Sequence, residues 1–286
     1  LLFVYTSTLM FVLRFFAGPI VHRISPLGLL CASALIGATG LTLLGNATGI
    51  AMCVVAATVY ALGKTFLWPT MLGVVGERFP RGGALTMGAI GGIGMLSAGL
   101  LGGPGIGYKQ DYFASKQLEA QAPETFARYH AEDPNRFLFF PEITGLDGMK
   151  VGILDRSKTL QDAEAALMEL KQGGTADETE IADAETRVEL AAADLEKALQ
   201  SVNTLSAWWD EAQMQQETDR GPVGDAGLYG GRQALKVTAF VPLTMAVGYL
   251  LLLIYFKSIG GYKAIHLTAT GKEEHIEVSG EVEEVK

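Results

Sequence analysis

The sequence predicts an all-α polytopic membrane helix bundle with an inserted soluble antiparallel helical hairpin. Three observations carry that prediction. Five apolar runs, at residues 1–21, 27–44, 50–75, 84–106 and 235–256, come near or exceed the roughly 20 residues that cross a hydrocarbon core at about 1.5 Å per residue. Charge is partitioned along the chain. Residues 108–233 hold 24 acidic and 12 basic side chains, whereas the remainder holds 7 and 10, so the overall charge of −9 averages an acidic aqueous segment with a slightly basic membrane portion. Within the acidic segment, apolar residues recur at helical spacing on both sides of a Gly-Gly break.

The first run, 1–21, is interrupted by Arg14 and followed by His22 and Arg23, which mark a cytoplasmic end under the positive-inside tendency. The second, 27–44, is rich in Gly, Ala and Leu and closes on the uncharged turn Gly45-Asn-Ala-Thr-Gly49. The third, 50–75, leads into Glu77-Arg-Phe-Pro-Arg81-Gly-Gly83. The fourth, 84–106, is dense in glycine, which in lipid lets neighbouring backbones approach. It is expected to pack tightly and to slide or bend. The fifth, 235–256, is followed by Lys257 and Lys263. Alternation places Arg23, Arg78, Arg81, Lys257 and Lys263 at cytoplasmic ends and Lys109, Arg232 and Lys236 at the opposite ends. Residues 108–233 are then extracytoplasmic and 264–286 form a cytoplasmic acidic tail. The expected location is a bacterial inner (plasma) membrane. No basic region or small-residue cleavage site precedes the first apolar run, so the chain reads as a fragment or truncated reading frame.

The third run holds the candidate site. A lysine at the centre of a span costs on the order of 3 kcal/mol, so Lys64 is expected to face a water-filled path or a partner. Tyr60, Lys64 and Trp68 stand four residues apart and share one helix face. Two aromatic surfaces thus flank a cation, and Pro69 beside them removes a backbone donor. Arg14 lies about two turns from the cytoplasmic end, within reach of that interface or of a carboxylate such as Glu77, and is assigned a gate role. Glu77 and Arg78 are assigned to the loop and gate. The bland alternative leaves Trp68 packed between helices and Lys64 snorkelling or paired elsewhere.

In the acidic segment, Leu160, Ala163, Leu167 and Leu170 follow 3–4 spacing, Gly173-Gly174 breaks the helix, and Ile181, Ala184, Val188, Ala191, Leu195, Ala198, Val202 and Leu205 resume it. A hairpin over about 157–207 follows, with an alanine-rich seam. The flank 111–152 reads as less regular, and 213–231 as a polar, Gly-rich return linker.

Other chemistries are disfavoured. His22, His130, His266 and His275 are scattered, and Cys31 and Cys53 lie inside apolar runs. No metal, disulfide framework or cofactor is expected. Gly103-Pro-Gly-Ile-Gly107 follows a lipid-spanning run rather than a strand, so a nucleotide fold is disfavoured. No nucleophile motif supports an enzyme, and the acidic balance argues against nucleic acid. No Asp or Glu lies inside any run, so a proton-coupling group lies elsewhere, or any transport is uncoupled or ion-coupled by another route.

Gly18-Pro-Ile-Val-His-Arg23 and Glu77-Arg-Phe-Pro-Arg81 resemble the short cytoplasmic connections of the major facilitator superfamily, the latter resembling the exit from the tenth helix of its sugar porters. His22 stands where that loop has an acid, and Trp68 lies further from Glu77 than the sugar-porter tryptophan. Gly99-x-x-x-Gly103-Pro104-x-x-Gly107 resembles the motif of the antiporter branch, displaced from the fifth helix to its repeat-related counterpart, the eleventh. The resemblance covers roughly 1–107 and 234–263 and implies helices eight to twelve, with the amino-terminal half of the carrier missing. It further implies a midplane solute site to which Lys64, Tyr60 and Trp68 contribute from the tenth helix, with alternating access by rocking of the halves.

Two functions from different classes follow. In one, the chain is a partial carrier for a small polar solute such as a sugar, nucleoside or organic anion. In the other, the helices anchor an extracytoplasmic coiled-coil module that binds a protein partner, with Trp208-Trp209 on its exposed face. A buried cation favours the first, since an anchor has no need of one.

Overall fold

The computed structural model describes residues 2–15, 24–173, 177–267 and 273–277. The loop carrying His22 and Arg23 lies outside the described residues. The chain divides into two compact units, one of Leu1–Lys109 with Arg232–Lys286 and one of Gln110–Gly231.

The first unit contains α1 (Leu2–Phe15), α2 (Pro26–Asn46), α3 (Ile50–Arg78), α4 (Gly83–Ser97) and α11 (Phe240–Ser258). Two further helices, α5 (Gly103–Gln121) and α10 (Gln216–Thr238), have residues in both units. Among the described residues, four helical stretches are long and apolar enough to cross a membrane: Pro26–Asn46, Ile50–Arg78, one within Pro80–Gln121 and one within Thr204–Ser258. Helix α1, at the first expected span, is apolar and comprises 14 described residues.

Each boundary has a local cause. Ser25 caps α2 by accepting the Gly28 N–H at 3.2 Å, and Pro26 sits in the first turn, where no donor is needed. Helix α3 continues through Pro69 and ends at Phe79-Pro80. Helices α2 and α3 touch backbone to backbone. A Cβ on Gly63 would collide with the backbone of Gly37, and one on Gly40 with that of Tyr60. Helix α11 packs on α2, where Cys31 Sγ lies 3.5 Å from the carbonyl of buried Ala246. Helix α1 packs on α3, where the Tyr5 and Thr58 hydroxyls are 2.7 Å apart.

The glycine-rich fourth span differs from expectation. Side chains added at Gly88, Gly91, Gly92, Gly99, Gly103 or Gly107 would meet nothing within 4 Å, so α4 is not tightly packed among the described residues. Glycine permits close approach without supplying a neighbour. Gly94 does make one, beneath the Trp68 ring. The helix widens to a π-turn over Ala98–Gly102, where the Gly103 N–H reaches the Ala98 carbonyl. Pro104 follows directly; it has no N–H and its ring crowds the preceding turn, which the wider turn relieves.

The second unit contains the rest of α5 and α10 together with α6 (Pro123–Tyr129), α7 (Gly148–Gly173), α8 (Glu178–Gln200) and α9 (Asn203–Ala212). Helices α7 and α8 run in opposite directions, joined by ion pairs Arg156–Asp194 at 2.9 Å and Lys171–Glu185 at 2.7 Å. Their half-buried residues include Leu160, Ala163, Leu167, Leu170, Ile181, Val188, Ala191, Leu195 and Ala198, and Ala184 is buried. Helix α7 begins nine residues before the expected 157 because Asp147 accepts the Met149 and Lys150 N–H groups as a cap. Asp177 caps α8 through the Glu180 N–H at 2.8 Å. Leu205 leaves the expected seam: α8 ends at Gln200, and Leu205 enters the core from α9.

Of two regions read as irregular, 130–147 is non-helical as expected, but other parts are helical. Residues 111–121 belong to α5, and 216–231 belong to α10 rather than to a linker. Glycine hides the period of α10, since Asp219, Val223 and Ala226 are buried along one face and Gly230 continues it against the backbone of Gln110. The tail also departs from the all-helical expectation. Strand β1 (Lys263–Leu267) pairs antiparallel with β2 (Glu273–Glu277), Lys263 opposite Glu277. Residues 268–272 and 278–286 of the expected acidic tail lie outside the described residues.

Candidate functional site

Helix α3 carries the site of the first unit. Its backbone is held against α2 at Gly63 and at Tyr60, and Ala61 between them is fully buried. Lys64 is half-buried, and its ammonium stands 5.2 Å above the centre of the Tyr60 ring, within the range at which an aromatic face attracts a cation. Trp68 is 38% exposed, one turn on, with its ring edge over Gly94 of α4. Tyr60 and Lys64 therefore meet directly, while Trp68 joins them by helix spacing and leans on α4. Pro69 is exposed beside it.

The gate residues are distributed differently from expectation. Arg14 is exposed on α1. The Glu77 carboxylate instead accepts the Tyr262 hydroxyl at 2.9 Å. Arg78 donates to the Lys263 carbonyl at 3.1 Å and lies 4.9 Å over the Phe256 ring, which meets Tyr262 edge-on at 5.6 Å. Burial first, and the Glu77 hydrogen bond second, push the Tyr262 phenol above its ordinary value. The end of α3 is thereby latched to the segment that leaves α11. Gly103 and Pro104 lie at the π-turn, where they shape the helix rather than bind. Arg23 lies outside the described residues.

The second unit is organised around a polar cluster that motif reading missed. Asp219 has no solvent exposure and accepts from the Thr125 hydroxyl and Arg128 Nε, both at 2.8 Å, and from Arg128 Nη2. The adjacent Arg220 donates to Gln161 at 2.5 Å, Glu217 at 2.6 Å and Ser157 at 3.3 Å. The Tyr129 hydroxyl is buried among these groups without a hydrogen-bond partner among the described residues, and burial pushes it upward. The one signal available was an Asp-Arg pair on the buried face of a helix disguised by glycine.

Trp208 and Trp209 do not form an exposed docking face. Trp209 is 7% exposed in the core, and Trp208 meets Tyr129 edge-on at 5.3 Å while donating to the Arg128 carbonyl at 3.0 Å. Indole rings this large gain more from burial beside an acceptor than from exposure. A cleft of about 750 Å³ in this unit is lined by Tyr112, Phe126 and His130 together with Lys116, Glu119, Glu132 and Glu142. Among the described residues, no group of three or more His, Cys, Asp or Glu side chains is placed to hold a metal ion.

No protein-family model, curated protein or solved structure matches this chain.

Proposed function

We propose that this chain is part of a membrane carrier that moves a small polar solute, a sugar, nucleoside or organic anion, by alternating access. The observation that carries this reading is the Lys64 ammonium held over the Tyr60 ring within an apolar helix long enough to span a bilayer. A cation at that depth is costly, and pairing with a ring face recovers only part of the cost. The remaining donors of Lys64 suit a hydroxyl-rich or anionic solute, with Tyr60 and Trp68 as flat surfaces against a sugar or base. In this reading the helices form the carboxyl-terminal half of a major-facilitator-like bundle in a bacterial inner membrane. An amino-terminal half supplies the other wall of the cavity, and the second unit is an extracytoplasmic insertion with a cytoplasmic carboxyl terminus. Bending at the π-turn of α4 and release of the Glu77–Tyr262 latch would then open opposite sides in turn.

The test is uptake of radiolabelled sugars, nucleosides and organic anions by proteoliposomes of the full-length protein, beside Lys64→Ala and Lys64→Arg. One solute should accumulate, Lys64→Ala should abolish its uptake at equal protein level, and Lys64→Arg should retain part of it. Equal transport by Lys64→Ala would remove the site.

The cleft of the second unit favours one other reading, a membrane-anchored interaction module. Replacing Glu119 and Glu132 of the cleft by Lys separates the two: a carrier keeps its uptake, whereas an anchored module loses its partner and moves nothing.

A further inference from the structure

Two half-buried cations on α10 stand apart from Lys64. Arg232 and Lys236 are four residues apart, about 6 Å along the helix axis and on one face. Among the described residues neither side chain makes a hydrogen bond or an ion pair. Each stands in the wall of a different apolar cavity of the first unit. Arg232 borders one of about 630 Å³ formed with Leu2 and Tyr5 of α1 and with Ile50 and Val54 at the start of α3. Lys236 borders one of about 480 Å³ formed with Leu35 and Leu43 of α2 and with Phe240 and Leu243 of α11. The end of α2 lies beside both cations. A side chain on Gly45 would stand 2.6 Å from Lys236 Cγ and 2.7 Å from the Arg232 carbonyl, so only glycine admits α10 there.

Half-buried cations beside apolar walls call for an anion. The walls specify what the anion carries. A free phosphate would meet the charges and leave two apolar surfaces unmatched, and a sugar would meet neither. We propose that Arg232 and Lys236 form a binding site for an anionic phospholipid, its phosphate between the two cations and its acyl chains along the two cavities. The guanidinium fork suits two phosphate oxygens and the ammonium acts as a point charge. Basic pockets between membrane helices hold anionic headgroups in this way.

The experiment reconstitutes the full-length protein in phosphatidylcholine vesicles containing a small share of photoactivatable phosphatidylglycerol or, separately, photoactivatable phosphatidylcholine. Lipid adducts are mapped by mass spectrometry. Adducts should concentrate at residues 47–54 and 239–243, with phosphatidylglycerol preferred by about fivefold per cation. The preference should fall to parity in Arg232→Gln/Lys236→Gln and persist in the charge-keeping Arg232→Lys/Lys236→Arg. Inorganic phosphate should not displace the lipid. Equal labelling by the two lipids, a preference surviving in the Gln variant, its loss in the charge-keeping variant, or displacement by phosphate would each overturn the assignment.

Discussion

The carboxylate of Asp219 receives the guanidinium of Arg128 from ninety-one positions earlier, at a point with no solvent exposure. The hydrogen bond to Asp219 is the foremost reason that Arg128 holds its proton more tightly than an ordinary arginine. Its neighbour Arg220 reaches Ser157 and Gln161, so two consecutive residues of α10 tie α6 and α7 together. Removing one member of a buried pair strands the other. Asp219→Ala should therefore destabilise the second unit by about 3–5 kcal/mol. Urea unfolding of the reconstituted protein, followed by the fluorescence of Trp208 and Trp209, reads this directly, and an unshifted midpoint would mean that water satisfies Arg128.

Gly63 and Gly92 make a contrasting pair. A side chain on Gly63 strikes the backbone of Gly37, whereas one on Gly92 meets nothing within 4 Å. Gly63→Leu should force α2 and α3 apart at a cost of about 1–3 kcal/mol or more. Gly92→Leu should leave stability unchanged. Thermal melting of the two variants in one detergent compares them, and equal melting points would refute the backbone contact.

Tyr262 gives a pH dependence. Its folded value lies above the ordinary 10.0 because burial and the Glu77 carboxylate both disfavour the phenolate. The stability it contributes is complete below pH 10.0 and is lost as pH rises from there through the raised folded value. Tyr262→Phe should flatten the alkaline limb of a melting-temperature series between neutral pH and the upper limit of protein survival. An alkaline limb identical in the variant would place the titration elsewhere.

Legibility followed the range of the interactions. The face of Tyr60, Lys64 and Trp68 could be read because helix geometry alone aligns residues four apart. That the ammonium lies on the Tyr60 ring, while Trp68 turns to Gly94, could not. The pairing of Glu77 with Tyr262 rather than Arg14 spans 185 residues and has no local signature. In α10 the glycines masked a buried stripe, because a residue without a side chain shows neither the apolar nor the polar half of a pattern.

By itself the sequence determined that long apolar helices and an acidic aqueous segment share one chain, and which residues begin helices, because hydropathy, length and capping act within a few turns. Only the tertiary structure decided that Gly88, Gly91 and Gly92 of α4 meet open space while Gly40 and Gly63 of α2 and α3 touch the facing backbone, that Asp219 rather than the tryptophan pair organises the second unit through a charge contact, and that Arg232 and Lys236 face apolar walls without a counter-charge. Those outcomes depend on which surfaces meet across long stretches of chain, and composition does not encode that meeting.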